Sequence, residues 1–420
     1  MMFSSSFGFP RRSRRNRQRS RRHLLDRGLS RRALFVESLE TRALMAGEVV
    51  INEIHYNPDV ETQLVEFVEL YNTTAAAIDL SNWSFSRGVQ YVFPQGASIA
   101  AGGYYVVAEN AAQFQSKFGF APNGIYTGGL DGEAETVELR TAADVEMDEV
   151  DYQIGFPWPT VGDQINTPGD GRSIQLINPA LDNGLGGSWR SALPTPRAQN
   201  SVLAANAPPA MRQVDHTYSS GGMYAAPGDT VTITARVTDP QGVQSVALAY
   251  QIVEPGQYIE IGTPAYNTTW TTVAMRDDGT SGDATAGDGI FTAVLPASVQ
   301  QHRRLIRYRI TATDTGGASV TGPYADDRQP NFAYFVYGQT PSWTGAARPG
   351  VTSPVTYTPT LLDSLPTYHL ITTRADHETS QRIPNSTQPG YTGSDYLWHG
   401  ALVYDGVVYD HVRFRARGGV

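Results

Sequence analysis

A chain of 420 residues with a net charge of −9 and 40% hydrophobic residues has room for two to three domains with real cores. The absence of cysteine excludes disulfides, thiolate metal sites and cysteine nucleophiles. Glycine (41), proline (26) and tyrosine (22) are abundant, which favours many short strands joined by turns over long helices.

The charge is unevenly spread. Residues 1–46 hold twelve arginines against Asp26, Glu37 and Glu40, a net +9, which leaves −18 on the rest of the chain. So acidic a body argues against a nucleic-acid surface on the folded part. The run from Arg11 to Arg32 has no steady apolar face, and its composition predicts a segment disordered in isolation. It reads as an export or sorting leader, as a tail for nucleic acid or anionic membrane, or as a spacer before the first domain. A standard secretory leader needs an apolar stretch of about 7–15 residues. Ala33-Leu34-Phe35-Val36 is too short for that, and no stretch approaches the roughly 18 apolar residues of a membrane span. The ordered run from Phe35 to Ala46, FVESLETRALMA, resembles the leader of large exported planctomycete proteins, departing from it at Thr41 and Ala43.

From residue 47 to about 201 the chain predicts strand after strand. Val49–Ile54 is a β-branched run ended by Asn57-Pro58, and Leu64–Tyr71 alternates apolar and acidic residues. Strands over Ile78–Phe85, Tyr91–Phe93 and Tyr104–Ala108 follow, the last after the Gly102-Gly103 turn. Such a series predicts an all-β sandwich or barrel. Glu53, Glu66 and Glu69 are the carboxylates to weigh for acid–base or metal chemistry; period-two alternation places Glu66 and Glu69 on opposite faces, as solvated outer-face residues. Trp83 and Trp189 are expected core anchors. Asn52-Glu53, Glu66–Leu70 with its following Asn turn, Leu80–Trp83, the Gly102-Gly103 turn and the closing Thr195–Asn200 resemble, in that order, the lamin-tail domain. The resemblance implies an immunoglobulin-like sandwich used for interaction, without catalysis of its own. Residues 202–209, rich in Ala, Asn and Pro, read as a linker.

Residues 210–338 predict a second sandwich. Thr230–Asp239 alternates cleanly, and Val243–Ile252, Phe291–Leu295 and Leu305–Ala312 are further strands; the whole resembles an immunoglobulin or fibronectin-type domain. Between them, Arg276–Ile290 packs Asp277, Asp278, Asp283 and Asp288 among glycines. A hard cation such as Ca²⁺ wants several oxygens at once, and these four aspartates are the candidate metal ligands. A wide hairpin turn asks for the same residues, and the spacing is not that of an EF-hand.

Residues 339–362 read as a second linker, followed by a strand at Leu365–Thr372 and, over 400–418, two strands around an Asp-Gly turn. The stretches PTYHLITT and GALVYDGVVYDHVRFRARGG resemble the opening of the CotH family of spore-coat kinase-like proteins, an α+β domain of which residues 363–420 would be the first piece. In that family the catalytic and Mg²⁺-binding acids come after this hairpin. Arg413, Arg415 and Arg417 alternate on the last strand, facing phosphate or forming a charged edge. Single histidines (His55, His216, His302, His369, His377, His399, His411), no Gly-x-Ser-x-Gly elbow and no His-Glu-x-x-His pair leave no hydrolase constellation.

The expected protein is mainly β: two successive immunoglobulin-like sandwiches between a basic N-terminal segment and an incomplete α+β domain. The expected function is that of an exported or cell-surface scaffold binding protein or a surface polymer, with the front of a CotH-like kinase as the alternative. Binding nucleic acid through the arginine segment is a third reading, and it implies affinity that falls steeply with salt.

Overall fold

The computed structural model describes residues 47–60, 62–161, 171–348, 350–380 and 397–415; the basic N-terminal segment, Arg417 and the last residues lie outside them. Among the described residues no helix is long and apolar enough to cross a membrane.

The first sandwich runs through β1 (Val49–His55), β2 (Phe67–Asn72), β3 (Ile78–Asp79), β4 (Ser84–Arg87), β5 (Val89–Val92), β6 (Ser98–Ile99) and β7 (Tyr104–Ala108). Helix α1 (Ala111–Phe118) follows, then β8 (Gly124–Ile125), β9 (Thr127–Gly128), β10 (Ala134–Arg140), β11 (Glu146–Gln153), β12 (Ser173–Leu176) and β13 (Trp189–Ala192). One sheet has the order β13-β12-β1-β2-β7-β8 and the other β11-β10-β4-β5-β9. Their facing sides bury Val68, Leu70, Tyr105 and Val107 against Phe85, Val137, Leu139, Val150 and Tyr152, with Trp83 and Trp189 in the same core, as anticipated. The Trp189 indole donates to the Asn183 carbonyl at 2.8 Å, so its polar atom is satisfied in the interior.

A sandwich usually leaves its outer faces to water. Here β2 is buried on both sides, because the outer face of its sheet carries a second, smaller core. Helix α1, capped by the Asn110 side chain on the Gln113 amide and ended by Gly119 at φ 84°, lays Phe114 and Phe118 on Phe67, Val106 and Ala108.

The second sandwich pairs β14 (Ala210–Tyr218), β15 (Val231–Thr238) and β18 (Ile290–Leu295) against β16 (Val243–Val253), β17 (Thr271–Ala274), β19 (Leu305–Asp314), β20 (Ser319–Gly322) and β21 (Phe332–Phe335), with α2 (Pro264–Thr268) between β16 and β17. Strand β15 buries Val231, Ile233, Ala235 and Val237 and leaves the residues between them half-exposed, the period-two alternation of the sequence.

Residues 202–209, expected as a linker, are pinned down. The Ala204 amide donates to the Ile177 carbonyl, its carbonyl accepts from Asn178, and Ala207 is buried. The two sandwiches touch directly. Arg190 lies 4.7 Å over the Tyr324 ring and donates to its hydroxyl, which donates in turn to the Pro157 carbonyl; Phe156 packs edge-on against Tyr324 and Phe332.

The last part comprises β22 (Trp343–Gly345) paired with β23 (Val355–Tyr357), α3 (Pro359–Leu362), β24 (His369–Thr372), α4 (Arg374–Ser380), β25 (Trp398–Tyr404) and β26 (Val407–Phe414). The expected linker 339–362 thus contains a short hairpin and a helical turn. The β24-β25-β26 sheet does not stand alone: Ile371, Ala401, Val403 and Val408 pack on Val253, Tyr258, Leu305 and Phe335 of the second sandwich.

Candidate functional site

Among the described residues, three places stand out for side chains capable of chemistry, and what those side chains already hold decides what each place can do.

The first lies on the outer face of the β1–β2 pair. Glu53 and Glu69 are directly opposite each other in the antiparallel register, just past an irregularity after Ile51. Both are fully buried, which corrects the expectation of solvated glutamates. The physical reason is the chain's return: residues 193–200 cross over this face. The Thr195 amide donates to Glu53 Oε1 at 2.9 Å, and the Arg197 amide donates to Glu69 Oε2 at 2.5 Å. Ser173 Oγ and Gln175 Nε2 also donate to Glu53, and Asn52 Nδ2 donates to Glu69. Asn200 closes the arrangement, its side chain exchanging hydrogen bonds with Asn52 and donating to the Leu176 carbonyl. The sequence motifs at 52–53, 69 and 195–200 are therefore parts of one clasp. Burial pushes Glu53 up to about 7, and burial together with the Glu53 charge pushes Glu69 up to about 8, outweighing the nearby Arg197 charge. Glu66 stands apart from both, half-buried and accepting from the Leu130 amide and the Tyr126 hydroxyl.

The second place joins the second sandwich to the C-terminal sheet. Arg307 on β19 and Asp410 on β26 are both buried and form a two-pronged ion pair, Nε–Oδ2 at 2.7 Å and Nη2–Oδ1 at 3.0 Å. Arg307 Nη1 donates to Gln251 and to the Ile259 carbonyl, and the guanidinium sits 4.9 Å over the Tyr258 ring. The remaining Asp410 lone pairs take the Tyr258 hydroxyl and the Asn331 amide. His411 follows with φ 55° and reaches Tyr258 and Asn331 through its two ring nitrogens. Burial alone would raise the Asp410 carboxyl, but Arg307 and His411 outweigh it and hold it down at about 2. Burial also lowers His411 to about 4. His55 is likewise a histidine held inside the fold. The His55 ring is fully buried, with Val65 and Gly171 carbonyls at its two nitrogens and Phe67 stacked on it.

The third place is the aspartate loop. Asp277 accepts from the amides of Gly287, Asp288 and Gly289, tying the two ends of the loop together. Asp278 accepts from the Thr280 amide and hydroxyl, Asp283 from the Gly279 amide, and Asp288 from the Ile290 amide. Each carboxylate thus braces its own turn, and no three of the four converge on a point. Among the described residues, one group of carboxylates brings three ligand oxygens within 4.8 Å of one another: Glu138, Glu146 and Glu149, which the sequence reading did not single out. Arg140 pairs with Glu138 and Arg87 with Glu149. Of the arginines on the last strand, Arg413 is exposed and Arg415 half-buried.

Compared with models of protein families, residues 43–153 match the Lamin Tail Domain. No curated protein matches the chain. The matched stretch holds β1 to β11, including Glu53 and Glu69 but not the 195–200 segment that covers them.

Proposed function

We propose that the chain is a non-catalytic scaffold of interaction modules, exported or displayed at the cell surface, whose partner is a protein or a surface polymer. One observation carries the reading: the acids best placed for chemistry are buried, bound to backbone donors of a crossing segment or to a buried arginine, instead of opening on a cleft. A general acid or base must reach a substrate proton directly or through one water. Glu53 and Glu69 reach the Thr195 and Arg197 amides. The Lamin Tail Domain match over residues 43–153 and the immunoglobulin-like architecture support the same reading. The FVESLETRALMA resemblance supports export.

The test combines location, binding and activity. Protease accessibility on intact cells is expected to find the folded chain outside, and the purified chain is expected to co-sediment with isolated envelope polymer or with surface protein. Hydrolytic or phosphotransfer activity lost on Glu53→Gln, Glu69→Gln or Asp410→Asn would overturn the reading.

The alternative, the front of a CotH-like kinase whose catalytic residues lie beyond Val420, is favoured by one further observation. The outer face of the C-terminal sheet is apolar and open: Tyr404, Val407 and Tyr409 are exposed side by side, and Tyr368 stacks on Tyr404 at 4.3 Å. A face of this kind asks for another layer of protein. The DNA downstream of the Val420 codon decides: an open frame bearing acids in kinase context supports this alternative, and a stop codon overturns it.

A further inference from the structure

Two aspartates at one end of the second sandwich each carry a buried oxygen that nothing holds. Strand β15 buries Val231, Ile233, Ala235 and Val237, and β19 buries Ile306, Tyr308, Ile310 and Ala312 in the same core. One step further in each alternation come Asp239 and Asp314, on the inward side where the two strands end. Asp314 is fully buried. Each aspartate braces its own turn with one oxygen: Asp239 Oδ1 accepts from the Gln241 amide and Asp314 Oδ1 from the Ala318 amide, both at 2.8 Å. The other oxygen of each, Oδ2, is buried and has no hydrogen-bond partner among the described residues. Arg212 donates to the Thr238 hydroxyl at 3.0 Å and not to the Asp239 carboxylate beside it.

The two turns are laced together. The Gly242 amide closes the first turn on the Asp239 carbonyl. Thr315, next to Asp314, donates its amide to the Gly242 carbonyl and its hydroxyl to the Gln241 carbonyl. Val243 pairs with Asp314 in the register of β16 and β19. The segment arriving from the first sandwich covers this end: the Asn206 side chain lies against Gly316, and Ala207 is buried.

A buried acceptor without a donor is rare in folded proteins, and a buried charge without a counter-charge is costlier still. Two such oxygens in laced turns ask for one ligand that satisfies both. Water would supply donors but leave two negative charges in the interior, whereas a cation answers the charge as well. Carboxylate oxygens suit a hard ion. Ca²⁺ takes about six to eight oxygens in flexible geometry and completes its shell with carbonyls and water.

We infer that Asp239 and Asp314 hold a hard divalent cation, Ca²⁺ before Mg²⁺, through their Oδ2 atoms, at the end of the second sandwich that residues 202–209 cover. The ion pins the 239–242 turn to the 314–318 turn. The inference goes beyond the scaffold reading and is independent of what the modules bind. It also sets this pair apart from Asp277, Asp278, Asp283 and Asp288, whose carboxylates are taken up by donors of their own loop.

Calorimetric titration of the full chain, freed of metal by chelator, reads this directly. One Ca²⁺ per chain is expected, with Mg²⁺ binding more weakly at the same site, because Mg²⁺ demands near-ideal octahedral geometry. Asp239→Asn and Asp314→Asn each remove one charged ligand and are each expected to weaken Ca²⁺ binding about tenfold or more. Asp277→Ala is expected to bind as the unaltered chain does. The melting temperature of the unaltered chain is expected to rise with calcium, and that of the chain carrying both Asn substitutions to stay constant. No binding of either ion at about 10 mM, beyond the weakest protein calcium sites, would overturn the inference. Binding that survives both substitutions, or that is lost on Asp277→Ala, would overturn it too. Should the double variant fail to fold, the single variants decide, since asparagine keeps the shape of each side chain and its Oδ1 acceptor.

Discussion

Two regions of this molecule bury carboxylates under a segment that arrives late in the chain, and they stabilise them in opposite ways. In the first sandwich, Glu53 and Glu69 face each other, without an ion pair to either among the described residues, and are satisfied by amides of residues 195 and 197. In the second, Asp410 meets Arg307 in a two-pronged pair. The clasp of like charges is neutralised by raised proton affinity, and the clasp of opposite charges by its partner. The same desolvation acts on both. What differs is whether the covering segment brings backbone N–H groups or a side-chain charge, and that decides how each region answers to pH and mutation.

Breaking the ion pair is expected to have the largest effect. Asp410→Ala leaves Arg307 charged and buried, a loss of about 3–5 kcal/mol in urea unfolding. Replacing both partners by apolar residues of similar size, Arg307→Met with Asp410→Leu, is expected to recover most of that loss, because the penalty lies in the unpaired charge. A double variant as unstable as Asp410→Ala would show that the hydrogen bonds to Tyr258 and Asn331, and not the pair, hold the C-terminal sheet.

Glu69→Ala comes next. It leaves the Arg197 amide without its acceptor and costs the Asn52 side chain one of its two donations, and a loss of about 2–3 kcal/mol is expected in the same measurement. Amide exchange at Arg197 should rise with it; unchanged exchange there would show that residues 195–200 are held by something other than the glutamates.

The pH response separates the two regions by sign. Glu53 and Glu69 have folded values near 7 and 8 against an ordinary 4.5, so the native state binds more protons than the unfolded chain between those limits. Their contribution is fully present below about pH 4.5 and is lost as pH rises through 7 to 8. Asp410, held at about 2 against 3.8, behaves oppositely: its contribution is present above about pH 4 and is lost as pH falls through 2. Unfolding followed from pH 2 to pH 9 should resolve both limbs, with Asp410→Asn removing the acid one.

The smallest effect is expected at the aspartate loop. Asp277→Ala removes the acceptor of three backbone amides in an exposed turn, a loss of about 1 kcal/mol in thermal unfolding. Millimolar calcium is expected to leave the melting temperature of the chain carrying Asp239→Asn with Asp314→Asn where it is. A calcium-induced rise that Asp277→Ala abolishes would place an ion among Asp277, Asp278, Asp283 and Asp288.

The regular parts of the fold were legible wherever one face is buried and the other wet. Val231–Val237 alternates in sequence as it does in burial, and the Asp405-Gly406 turn between β25 and β26 is where the dipeptide places it. The Thr195–Asn200 motif could be recognised but not explained, because its partners lie more than 120 residues earlier. The same distance hid the burial of Glu53 and Glu69: alternation correctly puts Glu69 opposite Val68 and Leu70, on the outer face, and nothing local says that this face is covered. Arg307 and Asp410 are 103 positions apart, and each looks like an ordinary charged strand residue in its own neighbourhood. The aspartate loop was ambiguous for a different reason, since turn braces and ion ligands draw on the same residues.

The central claim is that Glu53 and Glu69 are structural, spent on holding residues 195–200. Its most direct test is the stability of the unaltered chain and of Glu53→Gln with Glu69→Gln, compared from pH 5 to pH 9. The account expects stability of the unaltered chain to fall as pH rises through 7 to 8, and the double amide variant to fold and lose the part of that slope that Glu53 and Glu69 supply, the raised Glu66 carboxyl keeping the rest. A slope unchanged by the two substitutions would contradict it, since the two carboxyls would then titrate as if in water and could not be buried beneath the crossing segment.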